Sequence, residues 1–152
     1  MVDSARFARK MRAMETEVHD KLTRSIERWA DRLVAEMRAM LALSYPAVAA
    51  QVDIAWTWGD APAGAITVGQ VGRNEFDQMV VTVYAKAKSG SGISAAWFEF
   101  GTAPRFQKKT GRRTGRISGT SFFFGTYRSN RRRILSGLRS TLRRAVRNIN
   151  AR

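Results

Sequence analysis

Cysteine is absent from the chain, histidine occurs once and proline three times among 152 residues. Without cysteine there are neither disulfides nor thiolate metal sites, and the redox compartment stays open. His19 stands alone within a helical stretch, which excludes a zinc site of the usual His and Cys composition. Also missing is any run approaching the ~20 apolar residues that span a bilayer, so no membrane partner is expected. The first forty residues carry charges throughout and never run apolar, which argues against a secretory leader.

The most telling lack is of negative charge. Glu99 is the last carboxylate: residues 1–102 hold 12 Lys and Arg against all 12 Asp and Glu, whereas residues 103–152 hold 15 Lys and Arg and no acid. The whole formal charge of +15 therefore lies in the final third. Such a block repels itself unless phosphates or acidic protein surfaces lie against it. An apolar fraction of 44% supports a folded core, and the length suits one domain over 1–152.

The expected architecture is α+β, with a long N-terminal helix packed on a small antiparallel sheet, then a short helix, a basic loop and a C-terminal amphipathic helix. Phe7, Met11, Met14, Val18, Leu22, Ile26, Trp29, Leu33, Met37 and Met40 recur every three or four residues, placing them on one helical stripe. A helix over 4–43 would be roughly 60 Å long at ~1.5 Å per residue. Asp3 or Ser4 can cap it and Pro46 ends it. Glu17 with Lys21 and Asp20 with Arg24 offer i, i+4 pairs. The second half of the stripe is expected to face the sheet, the first half to meet a neighbouring subunit.

Strands are expected within 51–85. Val52, Ile54, Trp56 and Trp58 alternate with smaller or polar residues, and both tryptophans are expected in the core. Ala65–Val71 and the β-branched run Met79–Ala85 supply two more strands, and short turns between the three imply a meander. Residues 93–102 read as a short helix ended by Gly101 in a left-handed cap. Six basic residues, three glycines and no periodicity make 103–120 a flexible cationic loop; Phe122, Phe123 and Phe124 re-enter the core. The last helix, 126–149, carries an apolar stripe and eight arginines.

Catalysis finds little material here. Seven acids belong to the first helix among basic neighbours, and no Walker-type loop occurs. Glu75 and Asp77, two residues apart at a turn, are the nearest approach to a magnesium site, and such pairs ordinarily just solvate a loop. The chain is expected to be no enzyme and to need no cofactor or metal. Arg105, Lys108, Lys109, Arg112, Arg113, Arg116, Arg131 and Arg132 are instead candidate contacts to DNA or to a protein partner. Guanidinium groups grip phosphate bidentately, and such contacts bring affinity without base readout. Docking on acidic surfaces of partner rings explains the same arginines equally well.

The string AAWFEFGT at Ala95–Thr102, followed after a basic loop by SFFFGTYRSNRRRILSGLRSTLRRAV, resembles a known family. It is similar to the tail-completion, or minor tail, proteins encoded among the head–tail joining genes of tailed phages with long non-contractile tails. Glu99, Phe100, Gly101 and Thr102 match the family's first block; Phe122, Phe123, Phe124 and Tyr127 match its aromatic second block. Ser121 and Thr126 stand where that second block usually carries prolines. The resemblance implies a virion or phage-like particle, assembled in the host cytoplasm. There a hexameric or dodecameric ring of this chain would join the DNA-filled head to the tail, beside other neck and tail rings, with double-stranded DNA in its lumen. With Gly101 turning the chain out of the helix, Glu99 is expected either beside the basic loop, paired with Arg105 or a neighbour's arginine, or as a plain helix-surface acid. A non-specific DNA-binding protein and a tail-tube terminator are the alternatives.

Overall fold

Forty-one residues, Ser4–Ser44, form helix α1. The computed structural model describes residues 4–68 and 79–150, with side chains at 15–68 and 79–148. The capping role of Asp3 or Ser4, the turn over Gly72–Asp77 and the Glu75–Asp77 pair therefore lie outside the described residues. After α1 come α2 (Pro46–Ala49), β1 (Val52–Trp58), β2 (Ile66–Val68), β3 (Val81–Ala87), α3 (Ala95–Phe100), β4 (Arg105–Phe106), β5 (Arg113–Gly115) and α4 (Phe124–Asn150). The fold is α+β. No helix among the described residues is long and apolar enough to cross a membrane.

The chain divides into two compact units, Ala30–Asn130 and, separately, Met1–Trp29 with Arg131–Arg152. In the first, α1 ends as its sequence dictates: Tyr45 N–H closes on the Leu41 carbonyl at 2.7 Å, and Pro46 opens α2 at a position needing no N–H. The strands form a sheet of order β1-β3-β2, antiparallel throughout. A meander would have put β2 in the middle. β3 takes that place instead, and its Val81-Thr82-Val83-Tyr84 run of β-branched and aromatic side chains suits a strand flanked on both sides. Register sets Ile54 and Ile66 opposite Ala85, and Trp56 and Val68 opposite Val83, so these rows share one sheet face.

Leu33, Val34, Met37 and Leu41 of α1 are buried in this unit together with Ile54, Val83, Phe98, Phe122 and Phe123. Burying each large side chain of this kind contributes about 1.5–3 kcal/mol. Helix α1 also closes the free edge of β1: Arg38 Nε and Nη2 donate to the Ile54 carbonyl at 3.0 and 2.6 Å. An open strand edge is a template for unwanted pairing, and the guanidinium occupies it. Asp31 accepts the Trp56 indole N–H at 2.7 Å. Trp56 is half-buried and Trp58 exposed, with their rings edge-to-face at 6.2 Å, so neither belongs to the core as expected. The polar indole edge of Trp56 is spent on that carboxylate at the sheet's rim, where full burial is not needed.

In the second unit the two helix segments meet closely. Ser25 is buried and shares a 3.2 Å hydrogen bond with the Thr141 hydroxyl. A Cβ on Gly137 would lie 2.6 Å from Cζ2 of Trp29, so glycine here lets the indole rest against the α4 backbone. Just past its midpoint α1 thus meets α4 of its own chain, at Ser25 and Trp29. Lys21 pairs with Glu17 at 2.6 Å, but Arg24 donates to the Asp20 main-chain carbonyl rather than to its carboxylate.

Candidate functional site

The motif residues gather around the C-terminal end of α3. Glu99, 3% exposed, points away from solvent and accepts the N–H groups of Phe123 at 2.8 Å and Phe124 at 3.0 Å. Those are the first donors of α4, which have no partner within the helix, and the helix dipole favours a carboxylate beside them. Glu99 therefore neither pairs with Arg105 nor sits on a helix surface. It fastens α3 to the start of α4. Its charge is already engaged by main-chain donors, so a guanidinium has no call on it.

Around this carboxylate the main chain of 117–121 lies against the end of α3. Thr120 N–H donates to the Phe98 carbonyl at 2.9 Å, Ser121 N–H to the Glu99 carbonyl at 3.3 Å, and Thr102 N–H to the Ile117 carbonyl at 2.9 Å. Ile117 N–H returns a bond to the Thr102 hydroxyl at 3.0 Å. Such close approach leaves no room for side chains. A Cβ on Gly119 would sit 2.6 Å from the Phe100 carbonyl carbon, and one on Gly101 would sit 2.9 Å from the Ile117 carbonyl oxygen. Gly101 has φ 82° and ψ 179°, positive φ as expected but extended in ψ rather than a left-handed helical cap.

Thr102 and Ile117 form the neck of the segment expected to be a flexible loop. Instead it is a hairpin, β4 against β5, with Arg105 opposite Gly115 and Phe106 opposite Arg113, leaving Thr114 as a bulge. Its tip is tied by Gln107: the Arg112 main-chain carbonyl accepts the Gln107 N–H at 2.8 Å, and the Gln107 side-chain carbonyl accepts the Thr110 hydroxyl at 2.8 Å. Gly111 takes φ 66° there, a turn conformation that β-branched residues resist. The short strands escape a periodicity search because each is only two or three residues long.

The hairpin brings six of the expected contact residues together. Arg105, Lys108, Lys109, Arg112, Arg113 and Arg116 are all exposed on it, with Lys108 and Lys109 at the tip. Among the described residues none of the six makes an ion pair. Arg105 lies over the Trp97 ring at 5.7 Å, which fixes the hairpin's root. Beside that root Phe100 is 68% and Phe106 61% exposed, and Phe100 stacks on Phe124 at 5.7 Å. Phe122 and Phe123 are fully buried beneath, edge-to-face at 6.2 Å, as anchors of the hairpin base. Arg131 and Arg132 belong to the other unit, exposed on α4.

Several contributors carry weak signals in the sequence. Gly119 could be singled out only by its place in a Ser-Gly-Thr-Ser run; Ser121 acts through its main chain, and Thr120 through both its N–H and its hydroxyl on the Phe98 carbonyl. Among the described residues no group of three His, Asp or Glu stands close enough together to hold a metal ion. No protein-family model matches the chain, and no curated protein or solved structure matches it either.

Proposed function

We propose that this chain is a structural subunit that closes into a ring and joins the DNA-filled head of a tailed phage, or of a phage-like particle, to its tail. The observation that carries the reading is the Glu99 carboxylate on the Phe123 and Phe124 N–H groups. The Glu-Phe-Gly-Thr block and the aromatic block, the two parts of the resemblance to tail-completion proteins, meet in one clasp from which the hairpin projects. The geometry departs from that family at Ser121, whose φ of 49° no proline can adopt.

A ring subunit needs a rigid body, apolar surface for neighbours and a projecting element for the next ring. The α+β body supplies the first. Leu43 at 80% exposure, with Phe100 and Phe106, supplies apolar surface of the kind that neighbouring copies cover. The hairpin presents six cations to an acidic ring face. Closure joins unlike surfaces of successive copies, as every cyclic ring beyond a dimer requires. The function is binding rather than turnover. Electron micrographs of particles lacking the protein provide the test: full heads separate from finished tails are expected, and normally joined particles contradict the proposal.

A further inference from the structure

We infer that one face of α4, carrying Arg132, Arg139 and Arg143 with Ser136 and Ser140 between them, is a binding surface for the phosphate backbone of duplex DNA. At 3.6 residues per turn the three arginines fall within about 40° of one another around the helix and rise over roughly 16 Å. They lie opposite Gly137, Thr141 and Ala145, the side turned to α1 through Ser25 and Trp29. Together with Leu135 the three arginines and two serines line an open groove of about 570 Å³, and all six are exposed. Among the described residues no carboxylate is within ion-pair distance of these arginines, and no acid follows Glu99 in the sequence.

The composition of the face selects its ligand. Protein interfaces gather apolar and aromatic anchors at their centre and deplete charge there. This groove offers only Leu135 as an apolar member, between three guanidinium groups that bind phosphate oxygens bidentately. Serine at the intervening positions keeps the floor low and adds hydroxyl donors. A duplex presents one phosphate per about 1.7 Å of axis, so a row of this length always has phosphates in reach. The face has no Asn or Gln to pair with adenine and no acid to pair with cytosine, and guanidinium groups on phosphates carry no sequence information. No aromatic ring is there for bases to stack on, which points to backbone contact with a duplex rather than a single strand. The assignment does not depend on the ring reading, since a free monomer would present the same face.

The experiment is titration of the full-length protein with a mixed-sequence duplex across a series of salt concentrations. The wild type is compared with the triple variant Arg132→Gln, Arg139→Gln, Arg143→Gln, and with a control losing as many charges, Arg24→Gln, Arg28→Gln, Lys88→Gln. Loss of three phosphate contacts is expected to lower the slope of log affinity against log salt by about 2.7 in the triple variant. The control is expected to keep most of its slope. Circular dichroism of the triple variant should match the wild type, since all three side chains are exposed. A charge-preserving variant, Arg132→Lys, Arg139→Lys, Arg143→Lys, should keep the slope. Four results would each overturn the assignment: a wild type that does not bind the duplex, an unchanged slope in the triple variant, an equal loss in the control, or polyglutamate binding as tightly as DNA through the same residues.

Discussion

Among the described residues of the unit Ala30–Asn130, fourteen hydrophobic residues are buried, drawn from α1, the sheet, α3 and the segment leading into α4. In the unit of Met1–Trp29 with Arg131–Arg152, Ala145 is the only buried hydrophobic residue among those described. There Leu135, Leu142 and Val146 stay more than 40% exposed, and the helices meet through a hydroxyl pair and an indole laid on a glycine. The contrast shows two ways of dividing labour within one chain. Where a core exists, polar groups such as Glu99 and Arg38 are used to fasten elements to it. Where it is thin, the helix surface is free to carry charge, and seven arginines from Arg131 to Arg147 occupy it.

The comparison can be broken most forcefully from the core side. Phe123→Ala removes a fully buried ring that also stacks edge-to-face on Phe124, and should cost about 3–5 kcal/mol in chemical denaturation. A loss below 1 kcal/mol would mean that the clasp is not built on that core. Hydrogen exchange sharpens the same contrast without a mutation. Amides of β3 should exchange about a hundredfold more slowly than those of 132–147, because few apolar contacts hold the latter. Equal protection of the two would contradict the division drawn here.

A smaller effect is expected at Glu99. Glu99→Gln keeps the shape but turns an amide N–H₂ toward one of the two main-chain donors and removes the charge, a loss of about 2 kcal/mol by thermal or urea unfolding. No change in stability would show that water or another acceptor replaces it. Least of all should be Gly137→Ala, where better helix propensity, worth up to about 1 kcal/mol, opposes displacement of the Trp29 indole. The net outcome predicted is a loss of about 1 kcal/mol with a changed tryptophan fluorescence spectrum. A gain in stability would show that the ring moves aside without cost.

How much of this was legible in the sequence follows from the range of each interaction. Helices α1 and α4 announce themselves because a three-four spacing repeats over many turns, β1 because alternation runs for seven residues, and β3 through its β-branched run. Strand order was not legible, since nothing in the composition of β2 says that its partner is β3 rather than β1. The hairpin hid behind its charge, for two- and three-residue strands leave no period to find. Glu99 was singled out by its place beside Phe100, Gly101 and Thr102. Its true partners lie 24 and 25 residues away and are main-chain groups, which have no side-chain signature. Gly119 and Gly137 were invisible for a related reason: each is required by what comes close to it in space.

The account rests on this chain assembling with copies of itself around its clasped body. Mass measurement of the purified full-length protein, with micrographs of the same sample, tests that most directly. The account predicts closed rings at a sixfold or twelvefold multiple of the 17.1 kDa subunit. A single 17.1 kDa species at every concentration, with no ring views, would contradict it.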